Sequence, residues 1–203
     1  MECSRDERLD RRRHAFVEAA RTLFVEQGFD RTTLADVVDR AGGSLATLYK
    51  LFGNKAGLLA AVVQERARSG ESLIDRIGES DLEPVAALHW LGGELRKRML
   101  EPEAVAISRV VIAYSIEDGD FAADFYRKTL HTSHQALSRV FERWRDRGVV
   151  FRGEPPAMAA MFLGIFVYEL HSAAINHVAL PQSECGEMKD KIDFFCFGAG
   201  LAG

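Results

Sequence analysis

Residues 33–52 read TLADVVDRAGGSLATLYKLF, and this stretch decides the fold. Leu34, Val37, Val38 and Ala41 recur at three- and four-residue steps, which sets them along one side of a helix. Thr33 ahead of them can accept from a backbone amide, and Asp36 three residues on completes a capping-box pattern that fixes where the helix begins. Ala41-Gly42-Gly43-Ser44 then stops it, because glycine adopts the left-handed backbone that a tight turn needs. Ser44 is a good N-cap for a further helix over Leu45–Phe52, with Leu48 and Phe52 one turn apart on its inner side. Two short helices joined by a glycine-containing turn make a helix-turn-helix, whose second helix enters the DNA major groove. With Leu48 and Phe52 inward, Leu45, Ala46, Thr47, Tyr49 and Lys50 form the outer face, which carries no acid.

Working outward, Phe16, Ala20, Leu23, Phe24 and Gln27 trace the stripe of a half-buried helix that Gly28 ends. Arg11, Arg12 and Arg13 open it. They read as a solvated face or as phosphate contacts. Gly53-Asn54 closes the helix-turn-helix, and a long helix starts at Lys55. Helical patterns then cover 55–78, 83–99, 102–116, 119–147, 155–177 and 186–199, with Gly153-Glu154-Pro155-Pro156 the clearest break, since proline suits a first helical turn. No alternating strand pattern of useful length appears. The fold class is all-α.

The 203 residues suffice for one or two domains with a real core. The net charge of −4 hides an asymmetry: residues 1–55 hold ten Lys/Arg against nine Asp/Glu, and the span from Arg40 to Lys55 holds three basic residues and no acid. Phosphate attraction is local, so that span outweighs the total. The charged N-terminus does not read as a signal peptide. The longest apolar run, Ala157 to Tyr168, is about 12 residues where a bilayer needs roughly 20. A cytoplasmic protein with no membrane partner is expected. Cys3, Cys185 and Cys196 show no metal-type spacing and read as buried or incidental thiols. His131 and His134 share a helix face but lack a clear third ligand, so no metal and no cofactor are expected. No Gly-x-Ser-x-Gly, Gly-rich phosphate loop or His-Glu-x-x-His occurs, which argues against an enzyme.

Residues 16–62 resemble the N-terminal domain of the TetR/AcrR transcriptional regulators. The matching positions are Phe16 to Phe24, Gly28-Phe29, Thr32-Thr33, Ala41-Gly42, Ser44, Thr47-Leu48-Tyr49, Phe52, Asn54-Lys55 and Leu58-Leu59. The resemblance implies a DNA-binding domain over 1–58 and a larger helical effector-binding and dimerisation domain over 59–203. It implies that Thr33 and Ser44 cap helices and touch phosphate, that Leu45, Ala46 and Thr47 read bases, and that Tyr49 contacts backbone or a thymine methyl. Lys50 matches a variable DNA-facing position, and Lys55 a phosphate-binding lysine. Gly43 stands where the family usually has a valine-like residue, which predicts a looser turn. The partners implied are double-stranded operator DNA, a small-molecule effector and a second copy of the chain.

Beyond residue 59 the helix from Pro155 is apolar nearly all round and must be buried on several sides. Gly164 and Ala159-Ala160 would let another helix approach closely. A twofold interface is expected from Met158, Met161, Phe162, Ile165 and Phe166 together with Phe194 and Phe195 of the last helix, alongside the plainer reading of a single-chain core. His89, Trp90, Met99, Tyr114, Phe121, Phe125, Tyr126 and His134 offer an apolar effector pocket with a few polar groups, an inventory that an ordinary core would also show.

Overall fold

A computed structural model describes residues 5–176 and 185–201. Its helices are α1 (Arg5–Glu26), α2 (Leu34–Ala41), α3 (Leu45–Phe52), α4 (Lys55–Glu79), α5 (Pro84–Met99), α6 (Pro102–Glu117), α7 (Gly119–Phe125), α8 (His131–Asp146), α9 (Pro155–Asn176) and α10 (Cys185–Ala199). A π-helical turn, Tyr126–Leu130, joins α7 to α8. Among the described residues there is no strand. The all-α fold with an N-terminal helix-turn-helix and a helical C-terminal region is therefore present. Two boundaries differ from expectation. The first helix starts at Arg5, so the arginine run lies within it, and the long 119–147 helix contains the π turn.

The chain forms two compact units, Met1–Arg66 with Val110–Phe125, and Ala67–Arg109 with Tyr126–Gly203. The division does not follow the 58/59 boundary, because α4 and α6 each run through both units along the chain. In the first unit Phe16, Val17, Ala20 and Phe24 of α1 are buried with Val37 of α2, Leu48 of α3 and Leu58 and Leu59 of α4. Burying each of these larger side chains is worth about 1.5–3 kcal/mol, which is what holds two eight-residue helices that would not persist alone.

In the second unit, α4, α5, α8, α9 and α10 share a core of Leu73, Ile77, Leu88, Leu91, Phe141 and Phe162 with their neighbours. A Cβ added at Gly92 would lie 2.4 Å from Ile192 Cδ1 and 3.2 Å from Phe166 Cζ, so this glycine sets how closely α5 approaches α9 and α10. Gly164, expected to play that part, is exposed and has nothing within 4 Å of the same added atom. Inside this core sits a carboxylate. Glu169 of α9 is only 6% exposed; its Oε2 accepts from Arg96 Nε of α5 at 3.2 Å and its Oε1 from Lys191 Nζ of α10 at 2.9 Å. By length and composition α9 could cross a membrane, which the shorter apolar run did not suggest, yet Phe162, Phe166 and Ala159 of the same helix are core residues.

Candidate DNA interface

The first unit builds its recognition helix from caps inward. Thr33 Oγ1 accepts from the Asp36 amide at 3.1 Å while the Thr33 amide donates to Asp36 Oδ2 at 2.8 Å, a complete capping box. The backbone donor at Thr33 holds the Asp36 carboxyl below the usual carboxylate range. Ser44 Oγ accepts from the Thr47 amide at 3.2 Å and lies 2.9 Å from Thr47 Oγ1, so α3 begins where the sequence placed it. Each such cap contributes about 1 kcal/mol, a large share for helices this short.

The turn between them is packed rather than loose. Gly42 and Gly43 take φ of 71° and 106°, values that glycine alone accepts readily. A Cβ at Gly43 would stand 3.2 Å from Phe16 Cζ and 3.3 Å from Arg12 Nη1. Arg12 donates from Nη1 to the Ala41 carbonyl at 3.3 Å and lies over the Phe16 ring at 6.0 Å. Its side chain thus occupies the space that a valine would fill, and it joins α1 to the turn ahead of α3. Arg13 stands 5.7 Å from the Phe52 ring. Two of the three arginines therefore do structural work, which sequence reading missed because their partners lie roughly 30–40 residues away.

Leu48 is fully buried and Phe52 packs edge-on against Phe16 at 6.3 Å, which turns the other side of α3 outward. Leu45 is 42% exposed and Tyr49 53%; Ala46 and Lys50 are exposed and Thr47 half-buried. The positive charge nearby is less available than its count suggests. Arg40 donates from both terminal nitrogens to Glu26, at 2.6 and 3.2 Å.

Lys55 is turned to a different task from the expected phosphate contact. Its Nζ donates to the carbonyls of Phe29, Asp30 and Thr32 at 2.8, 3.3 and 3.1 Å and sits 4.4 Å from the Phe29 ring centre. An ammonium has three donors, and all three are used. The lysine ties the loop between α1 and α2 to the start of α4. Lys55→Ala should accordingly lower stability by roughly 2–3 kcal/mol, the usual worth of charge-assisted bonds, while the slope of log K against log salt stays at its wild-type value. A stable variant whose slope falls by about one charge would restore Lys55 to the phosphate contacts.

The eight expected effector residues are divided between the two units. In the first unit Tyr114 stacks edge-on with Phe29 at 5.3 Å and Phe121 at 4.9 Å, and Phe121 lies parallel to Phe125 at 6.4 Å. Burial, with Asp118 nearby, raises the Tyr114 hydroxyl above its ordinary range. In the second unit His89 Nε2 is 2.7 Å from Asp193 Oδ1, Trp90 lies under Arg76 at 4.8 Å, and Met99 packs against the core. Tyr126 is 50% exposed beside His131, and burial followed by the His131 charge lowers the pKa of His134.

A cavity of about 600 Å³ in the second unit is lined by Met158, Met161, Ile165, Phe194 and Phe195, which the sequence assigned to a subunit interface, and by Lys191 among others. The structure divides that set. Met158, Phe162, Phe166 and Phe195 belong to the chain's own core, while Met161 and Phe194 are 68% and 81% exposed and Ile165 is half-buried. Tyr168, Ile175 and Phe197 are exposed as well. Met161, Tyr168 and Ile175 follow at seven-residue steps, a spacing that could have marked them as one face. Cys196 is buried and its thiol is pushed up to about 11 by desolvation, with Asp193 adding to the effect, so it stays protonated and inert. Cys3 and the side chain of Cys185 lie outside the described residues.

Comparison with known proteins adds relatives along both units. Residues 16–62 match the model of bacterial regulatory proteins of the tetR family, and residues 86–193 match the AefR-like transcriptional repressor C-terminal domain. The HTH-type transcriptional regulator YvkB of Bacillus subtilis is 32% identical over 180 residues, covering 83% of this chain and 87% of that protein. The HTH-type transcriptional repressor BdcR of Escherichia coli is 43% identical over 49 residues, a match covering 24% of this chain and 25% of that one. Among solved structures, Thermus thermophilus FadR in complex with lauroyl-CoA superposes with a TM-score of 0.70 at 16% identity, over 92% of this chain and 94% of that one.

Proposed function

We propose, from the premise that this chain belongs to the TetR family of DNA-binding transcriptional regulators, that it is a homodimeric, ligand-responsive repressor of a palindromic operator. The family and the relatives are regulators and not enzymes. The observation that carries the reading is the outer face of α3, where Leu45, Ala46, Tyr49 and Lys50 stand exposed above a buried Leu48. Thr33, Ser44 and Thr47 at the two helix starts complete the DNA-facing set, with Lys55 supporting it from behind. Two half-sites about 34–36 Å apart require two recognition helices, and the outward face of α9 and α10 supplies a twofold contact to present them. Sequencing genomic fragments retained by the purified protein tests the whole reading: recovery of no enriched near-palindrome overturns it.

Release by a small molecule is supported by the FadR relative, which holds lauroyl-CoA, and by the aromatic inventory around Tyr114 and Trp90. An effector that binds better to a state with altered spacing of the recognition helices would shift the population and free the DNA. Such a regulator works in the cytoplasm.

The recognition helix offers few hydrogen-bond donors, so apolar contact carries more of the discrimination. If Leu45 packs on a thymine methyl, replacing that thymine by uracil should cost about 0.8 kcal/mol, close to fourfold in affinity. Leu45→Ala should remove the sensitivity and leave the salt slope alone. Uracil scanning that finds no sensitive position in either half-site transfers base discrimination to Tyr49 and Lys50.

A further inference from the structure

His14 and Glu18 stand one turn apart on α1 and share a face. Glu65 of α4 meets them within the first unit: His14 Nδ1 is 2.8 Å from Glu65 Oε1, and the candidate ligand atoms of all three residues lie within 4.8 Å of one another. The other oxygen, Glu65 Oε2, is closed off from solvent and has no hydrogen-bond partner. A carboxylate oxygen deprived of water and of a donor is costly. A hydrogen bond from His14 accounts for Oε1 alone and leaves Oε2 bare.

We propose that His14, Glu18 and Glu65 hold a divalent metal ion of the zinc class, which clamps α1 to α4. One imidazole nitrogen with two carboxylates suits zinc and its neighbours among the transition metals, whereas magnesium and calcium favour all-oxygen sets. Ligand bonds of about 2.0–2.2 Å put tetrahedral ligand atoms about 3.3–3.6 Å apart, so the His14–Glu65 pair at 2.8 Å would open and Glu18 would draw in from within 4.8 Å, with a water in the fourth place. Glu18 is also held by Arg21 one turn further on. A carboxylate can bind the ion through one oxygen and keep the guanidinium on the other, which is how outer partners orient a ligand. The sequence expectation of no metal rested on local spacing, and this set joins positions 51 residues apart. The site lies on the helix that carries Arg12, so a bound ion would stiffen the support of the turn ahead of α3.

The test is calorimetric titration of chelator-treated full-length protein with zinc chloride, repeated with cobalt(II) as an optical probe. One zinc per chain is expected, with cobalt showing ligand-field bands and no thiolate charge transfer. His14→Ala and Glu65→Gln should each weaken binding at least about tenfold, and zinc should raise the melting temperature of the wild type but not of His14→Ala. His14 is exposed and the glutamine keeps the shape of Glu65, so both variants should fold. Absence of binding, unchanged affinity in either variant, or a thiolate band that moves the ion to a cysteine overturns the site. None of these readouts depends on DNA, so the metal site and the regulator reading fail separately.

Discussion

Replacing Met161 and Phe194 together by aspartate is expected to turn a dimer of twice 22.6 kDa into a folded monomer and to weaken operator binding by about a hundredfold or more. Both side chains point outward, so a carboxylate there meets water in the monomer and is trapped unpaired only if a second chain covers it. Phe166→Asp is the contrasting change: that ring is 1% exposed and part of the core, so it should unfold the second unit rather than separate subunits. Light scattering with far-ultraviolet circular dichroism distinguishes the two. A wild type that scatters as a monomer at micromolar concentration, or a double variant that stays dimeric, removes this face from the assembly. The operator loss follows because one half-site is left to bind alone, without the effective concentration that a linked second helix provides.

Phe16→Ala should be nearly as severe by a different route. The ring is fully buried, meets Phe52 edge-on, and is the surface over which Arg12 lies beside Gly43. Truncating such a phenylalanine costs about 3–5 kcal/mol against a typical domain stability of 5–15. Urea unfolding should show a matching fall, and operator binding should drop in proportion to the fraction of the first unit left folded. Leu45→Ala, on the exposed side of α3, should stay within about 0.5 kcal/mol of wild type and so separates scaffold from contact. Near-normal stability in Phe16→Ala would mean that the turn is held by something other than this ring.

Both predictions rest on features of unequal visibility in the sequence. The starts of α2, α3 and α9 were readable because Thr33 with Asp36, Ser44, and Pro155 act on their own neighbours. The start of α1 at Arg5 was spelled out too, by Ser4 with Glu7 three residues on, a capping-box pattern that the arginine run overshadowed. The π turn at Tyr126–Leu130 was silent, as no proline or glycine marks it. On the recognition helix, the i, i+4 pair of Leu48 and Phe52 gave the inner side directly. On α9 the apolar residues run all round, so periodicity could not separate core Phe166 from outward Met161. The partners of Arg12, Arg40 and Lys55 lie 14 to 29 residues away, beyond any local rule, and these pairings decide which charges remain for DNA.

The carboxylate inside α9 has a consequence for uniqueness. A helix apolar on every side could slide by one turn against its neighbours and still bury hydrocarbon, because leucine, phenylalanine and methionine are nearly interchangeable as fillers. Glu169 cannot slide. Only one alignment gives its two oxygens both Arg96 from α5 and Lys191 from α10, and every displaced alignment strands a charge in the core. The ion triad adds little to the depth of the native well; it raises the competing wells, much as a single polar residue fixes the alignment of a coiled coil.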